Sequence, residues 1–493
     1  MSNHLGTIEH IVHVMLENRS FDHMLGYLYA DRGNVSPSGQ PLDGLTGEEW
    51  NPDDTGRRVD VYPIQATDPH PYLLPGADPG EGFLNTNYQL FSSDDPAPRA
   101  VPASMGFVTN FKSAIASDLA RHYSDTLPGT LPSDIMGMYT PELLPILSGL
   151  ARGYAVCDVW FASVPTMTMP NRAFAAAATS QGHLDDTPKI YTCPTIFGRL
   201  SDKGLDWAIY GYNSDPLTRH SFPDTTAADD SHFGHFRDFQ QRAADGTLPV
   251  YTFLEPSWDG SGNSQHPNYD VAKGEQFLHE VYGALRNGRE WNSTLLIITY
   301  DEHGGNYDHV APPSSATPPG DGTVGEYGFD FTRFGLRVPA VLVSPLIAAG
   351  TVFRGSGPID HTSVLRTLSE RWSTAPLTER DRAAASLGDV VTLAKARTDD
   401  PLSGVLPPVS SPAQPNAAKP TKLDMIHAAL VAALPIRNRQ GYYPEDAPVP
   451  VFASASDLGD FIRDRTAAWK EHVQRRKRRR PEAALARRSR PYR

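Results

Sequence analysis

The run Leu295–Tyr300 (LLIITY) constrains this chain more than any other segment. Its consecutive apolar or β-favouring residues suit a strand covered on both faces, as in a mainly parallel sheet. The run stops abruptly at Asp301-Glu302-His303-Gly304-Gly305. A second run, 7–16 (TIEHIVHVML), reads as another buried strand and stops as abruptly at Glu17-Asn18-Arg19. Further short strands are expected at 154–161, 207–212, 250–254 and 338–344. Helices are expected at 21–28 behind a Ser20 cap, starting within 136–152 with Thr140 as N-cap and Pro141 and Glu142 in the first turn, from about Pro170, at 273–288 and at 361–373. Strands alternating with helices predict an α/β layered fold with a mainly parallel central sheet.

Ligands of open α/β sheets bind beyond the carboxyl ends of the strands. Glu17, Asn18, Asp301 and Glu302 would meet at such an edge, and their carboxylates would repel one another without a cation. Hard oxygen donors suit magnesium, calcium or manganese better than copper and are compatible with zinc. Each pair taken alone also suits a plain helix cap. A third element, Val164–Arg172 (VPTMTMPNR), follows a strand and opens a helix. It puts Thr168 at a helix start, where unbonded N–H groups and the helix dipole favour anions. Thr168 is open to two roles there: a helix N-cap, or a hydroxyl that attacks phosphorus beside a cation.

These segments resemble the phosphoesterase family that contains bacterial phospholipases C and related acid phosphatases. Ile8–Leu28 (IEHIVHVMLENRSFDHMLGYL) is similar to the family's opening signature. The resemblance continues in order through VPTMTMPNRAF at 164–174, GTLPVYTFLEP at 246–256, Ser264-Gln265-His266-Pro267, YDEHGGNYDHVAPP at 300–313 and FGLRVPAVLVSPLI at 334–347. It implies an alkaline-phosphatase-like core with long loop insertions, and phosphoester hydrolysis assisted by a divalent metal ion. It implies metal ligands at Glu17, Asn18, Thr168, Asp301 and Glu302. Thr168 aligns with the nucleophile that forms a phospho-enzyme, and Asn18 would also meet the substrate. His266 resembles a histidine that contacts the phosphoryl group or helps the leaving group depart. His235, with His232 beside it, resembles a further substrate-binding histidine.

One position departs from the family pattern. Many members carry His after Asp-Pro-Gly, whereas Asp78-Pro79-Gly80 is followed here by Glu81. A carboxylate cannot donate to phosphate as an imidazolium does. Glu81 is left to bind a cation or a positively charged head group, or to sit exposed on a loop. The substrate implied is a phosphoester such as a phospholipid, with small phosphomonoesters of the acid-phosphatase type as the alternative. A non-catalytic binding protein is the alternative of another class, and the intact Glu17, Asn18, Thr168, Asp301 and Glu302 oppose it. No Cys/Ser-x-Pro-x-Arg motif stands in the nucleophile region, which opposes a sulfatase.

Charge divides the chain. The net charge of −13 conceals a tail, 470–493, with eleven Lys/Arg against two Glu, so the remainder carries −22. The acidic body opposes nucleic-acid binding. The tail suits contact with an anionic membrane, or solvation as a disordered segment; it has only Tyr492 for base stacking. The organisation reads as a catalytic domain at 1–398, a Pro/Ser-rich linker at 399–421, a helical appendage at 422–474 and a basic tail at 475–493. With 44 prolines and 40 glycines, long loops are expected, above all across 30–105. His303, Asp308 and His309 read either as residues that orient metal ligands or as turn residues, and His361 reads as a helix cap. Cys157 and Cys193 are expected as buried free thiols. No segment approaches 18 apolar residues, and the N-terminus lacks the pattern of a signal peptide, so a cytoplasmic location is the default expectation.

Overall fold

The computed structural model describes all residues except 1–3, 98–99, 121–125, 260–261, 411–419, 435, 437–449 and 489–493, and omits the side chains of 474 and 476–488. The central sheet contains β1 (His10–Leu16), β2 (Ala155–Val156), β3 (Trp207–Gly211), β4 (Phe233–His235), β5 (Tyr251–Glu255), β6 (Thr294–Tyr300), β7 (Ala340–Val343) and β8 (Thr351–Val352). They lie in the order β8-β2-β7-β6-β1-β5-β3-β4. β1 pairs parallel with β6 and β5, and β3 pairs parallel with β5 and β4. Only β7 runs against its neighbours, antiparallel to both β6 and β2. The expected layered α/β fold with a mainly parallel sheet is therefore the fold observed. Every residue of β1 and β6 is buried, as strands covered on both faces require.

Helices α1 (Phe21–Leu25), α2 (Pro145–Gly153), α3 (Thr168–Ala177), α4 (Val271–Arg286) and α5 (Thr362–Trp372) accompany the sheet. Ser20 caps α1 as expected, accepting the His23 N–H at 3.2 Å. Two expectations fail locally. α2 starts at Pro145 rather than after Thr140, because Pro145 has no N–H to continue a helix begun at 141. Its free N–H groups at Ile146 and Leu147 donate to Glu275 on α4, at 2.6 and 3.0 Å. The expected strand 154–161 shortens to Ala155–Val156, with isolated bridges at Trp160 and Phe161. Cys157 is a buried free thiol as expected, whereas Cys193 is free but only half-buried.

Past the body, α6 (Lys422–Ala432) and α7 (Ala455–Arg488) pack on each other through Ala428, Val431, Leu458 and Ile462. α6 also docks on the body, where Leu423, Ile426 and Leu430 join Met169, Leu217 and Trp258 in one apolar cluster. α7 continues to Arg488, so much of the basic run is helical instead of forming a disordered tail. Residues 411–419 of the expected linker lie outside the described residues. Among the described residues, no helix is long and apolar enough to cross a membrane.

Candidate active site

The two acidic pairs meet because of strand register. Leu16 lies opposite Tyr300 in the parallel β1–β6 ladder, so Glu17-Asn18 and Asp301-Glu302 leave the sheet side by side. Asn18 turns the chain there with φ of 57°, a left-handed conformation that asparagine tolerates better than most residues. Its N–H donates to Asp301 Oδ1 at 2.9 Å. The following turn crosses so closely that a Cβ on Gly304 would lie 2.1 Å from the Asn18 carbonyl oxygen. Only glycine fits there.

Thr168 arrives from the other side as the first residue of α3. Asn171 fastens the approach loop: its Oδ1 accepts the Val164 N–H at 3.0 Å, and its Nδ2 donates to the carbonyls of Thr166 and Met167 at 2.9 and 3.0 Å. Thr168 Oγ1 donates to Asn18 Oδ1 at 3.0 Å. Glu81 decides which way the Asn18 amide faces, because its Oε2 accepts from Asn18 Nδ2 and leaves Oδ1 for Thr168. The helix-cap reading of Thr168 therefore falls, since Met167 holds the N-cap position and the Thr168 hydroxyl points to Asn18. The expected anion site on the helix terminus is also curtailed. Asp186 Oδ1 takes the Met169 N–H at 2.7 Å, and Pro170 has no N–H to offer.

Asp301 is held at the strand end by three hydrogen bonds. Its Oδ1 accepts the N–H groups of Asn18 and Glu302, and its Oδ2 accepts Arg172 Nε at 2.9 Å. Arg172 also donates to the Leu16 carbonyl at 3.0 Å and lies 4.5 Å from the Trp258 ring centroid. Asp301 thus helps to hold α3 against the ends of β1 and β6. Glu302 differs. Its Oε2 accepts the Gly304 N–H at 2.7 Å, while its Oε1 is buried with no hydrogen-bond partner among the described residues. Burial, then the charges of Glu81 and Asp301, push its carboxyl well above the usual range. Burial pushes Glu17 up to about 7, against the pull of His266 and with the Asp301 charge adding to the rise. A buried carboxylate oxygen without a donor requires a proton or a cation. The oxygen donors of Glu17, Asn18, Thr168 and Glu302 therefore fit a hard divalent cation.

Glu17 and Thr168 line a cavity of about 510 Å³, with Asn18, Asp301 and Glu302 buried behind them. His266 stands on its wall with Nδ1 donating to the Pro267 carbonyl at 3.0 Å. Its Nε2 lies 3.8 Å from Asp78. The site thus combines a hydroxyl at a helix start, a carboxylate-rich floor and an imidazole on the wall.

The phosphoesterase family model matches residues 8–375. The chain belongs to the phosphoesterase family. A non-specific phospholipase C6 from Arabidopsis thaliana is 36% identical over 416 residues, covering 80% of this chain and 74% of that protein. A phospholipase C B from Mycobacterium tuberculosis is 29% identical over 425 residues, covering 75% and 74%. A crystal structure from the alkaline phosphatase superfamily of Vibrio parahaemolyticus aligns over 49% of this chain and 64% of its own, at 13% identity and a TM-score of 0.29.

In this phosphoesterase several expected residues sit elsewhere. His235 is exposed and lines a separate cavity beside Asp215, His427 and Lys470, sharing no wall with the Thr168 cavity. His232 is stacked on Trp207 at 4.0 Å. Glu81 does not sit exposed on a loop: it is largely buried at the cavity wall, and Lys422 Nζ lies 2.7 Å from its Oε1. His361 makes no cap bond; its Nε2 donates to the Asp301 carbonyl at 2.6 Å and so braces the strand end. His303 is buried against Gln89, and burial lowers it to about 3.

Asp22, Asp308 and His309 bring three potential ligand atoms within 4.8 Å of one another, but Arg337 already bonds both carboxylates. This is an ion-pair network. Burial alone would depress His309, yet its bonds to Asp22 and Asp43 outweigh that and push it up to about 10. The unfolded chain releases this proton near 6.5, so the stabilisation is complete below that pH and is lost as pH rises through 10. The denaturation midpoint should fall between about pH 7 and 10, and less so in His309→Gln. Parallel pH profiles for the two proteins would remove His309 as the cause.

Sequence reasoning missed Arg172, Asp186 and Lys422. Arg172 stands one helical turn after Thr168, inside a motif already singled out, but nothing in the spacing points to Asp301. Asp186 and Lys422 have no local signal.

Proposed function

We propose that this phosphoesterase hydrolyses phospholipids as a phospholipase C, with Thr168 as nucleophile and a divalent cation held by Glu17, Asn18, Thr168 and Glu302. The observation that carries the reading is the Thr168 hydroxyl, held by Asn18 at the mouth of a pocket whose buried Glu302 oxygen lacks a donor. A cation there would supply Lewis-acid polarisation and offset the carboxylate charge. Asn18 fixes the Thr168 rotamer, so a lone pair of Oγ1 is turned away from the amide. That oxygen gives up its proton to water in the cavity and bonds to phosphorus as the ester bond to the leaving alcohol breaks. His266, with Nδ1 tied to Pro267, presents Nε2 to the cavity, where its protonated form would hand a proton to the departing oxygen. Water then releases the phosphorylated head group from Thr168. The relatives' activity as phospholipases C supports the diester substrate.

A parallel assay of phosphatidylcholine, a soluble diester and a phosphomonoester tests this reading, with metal analysis of the same sample. Diacylglycerol release from phosphatidylcholine is expected, along with loss of activity on prolonged chelation and recovery with one of magnesium, calcium, manganese or zinc. Turnover of the monoester alone would move the reading to a phosphatase. Activity on none of the three, with no bound metal, would leave a binding protein.

A further inference from the structure

A phosphoester must enter a cavity lined by five carboxylates: Glu17, Asp78, Glu81, Asp118 and Asp186. Among the described lining residues, Lys422 is the only lysine or arginine. Arg172, another cation nearby, is tied to Asp301, and one N–H of the α3 terminus, that of Met169, is taken by Asp186. Among the described side chains that line the cavity, Lys422 is therefore the cation placed to meet the phosphate, alongside the divalent cation proposed at Glu17, Asn18, Thr168 and Glu302.

Lys422 is delivered by a dedicated piece of structure. Thr421 caps α6 and is itself bonded through Oγ1 to the Trp258 carbonyl at 2.9 Å. Leu423 and Ile426 seat the helix on Met169 and Trp258. Met169 is the neighbour of Thr168, and Trp258 lies against Arg172. The helix thus rests on the same residues that build the site. An ammonium has three N–H donors. One is donated to Glu81 Oε1 at 2.7 Å, and Asp186 Oδ2 forms an ion pair with the ammonium at 2.8 Å. Among the described residues the remaining partner is the Met167 thioether at 3.6 Å, a weak acceptor. The Lys422 side chain is 48% exposed, so a phosphoryl oxygen can reach it from the cavity.

We propose that Lys422 is a phosphate-binding residue of the Thr168 site, held in place by Glu81 and Asp186, so that the site is complete only with the C-terminal helix α6 docked. The inference rests on the phosphoesterase reading of that site. It also accounts for Glu81: the carboxylate serves the phosphate indirectly, by holding a cation from elsewhere in the chain.

The test uses the full-length, metal-loaded protein and inorganic phosphate as probe. Phosphate affinity is read by calorimetry, which needs no turnover, and kcat/KM by phosphatidylcholine hydrolysis. Lys422→Met should weaken phosphate binding by about tenfold, as expected for one lost charge-assisted bond, and lower kcat/KM with most of the change in KM. Lys422→Arg should recover most of both, and Lys422→Gln supplies a second neutral variant if methionine disturbs the helix. Unchanged phosphate affinity in both neutral variants would overturn the proposal. So would a rise in kcat/KM, which would make Lys422 a plug that blocks entry. If the wild type hydrolyses nothing, the phosphoesterase reading fails, while the phosphate affinities still decide the role of Lys422.

Discussion

Thr168→Ala is expected to lower kcat by at least about a thousandfold, because among the described residues no other hydroxyl is held on Asn18 in the pocket to attack phosphorus. Folding should survive. The side chain makes one hydrogen bond, to Asn18, and losing it costs about 1 kcal/mol. Thr168→Ser keeps the hydroxyl and should retain activity within about tenfold of the wild type. A rapidly quenched reaction should trap a phosphorylated Thr168 in the wild type and none in the alanine variant. Near-normal turnover by Thr168→Ala would remove the residue from the role of nucleophile. A melting curve in parallel separates that outcome from a folding defect.

Arg172→Met is expected to produce the largest loss of stability, about 3–5 kcal/mol, because it strands the buried Asp301 carboxylate without its cation. The pair is almost wholly excluded from water, with Arg172 at 5% and Asp301 at 0% exposure, so little of the effect is screened. Three strand-end contacts depend on it: Arg172 to Asp301, Arg172 to the Leu16 carbonyl, and Asp301 to the Asn18 N–H. Activity should fall with stability, since Asn18 positions Thr168. Asp301→Asn should destabilise as well, and the double variant Arg172→Met/Asp301→Leu should regain part of the stability without regaining activity. These denaturation midpoints test the placement of Asp301 directly. If Asp301 were chiefly a cation ligand, Asp301→Asn would weaken metal affinity and leave the midpoint of the metal-free protein nearly unchanged.

Much of the fold was legible because it follows from local patterning. Continuous apolar runs marked β1 and β6, and a serine before Phe21 marked α1. Orientation was not legible: nothing in VPAVLVS shows that β7 runs against its neighbours, since pairing direction is set by the path of the connection and not by the strand's own side chains. Thr140 has the chemistry of a helix cap, but the second proline, Pro145, moves the start of the helix four residues on. At the site, the strand-end residues and the Thr168 motif were readable as candidates. What each does was less so, as Asp301 and Glu302 are adjacent in sequence but face different partners.

By itself, the sequence determined which residues emerge at the carboxyl edge of the sheet, because strand length and the abrupt end of an apolar run are local properties. It also placed Thr168 at a helix start, again by local chemistry. Only the tertiary structure decided that Arg172 neutralises Asp301, 129 residues away, and that Lys422 meets Glu81, 341 residues away. Burial and charge pairing belong to the packed chain: a carboxylate is a ligand, an anchor or a clamp for another cation according to what folding brings within about 3 Å of it.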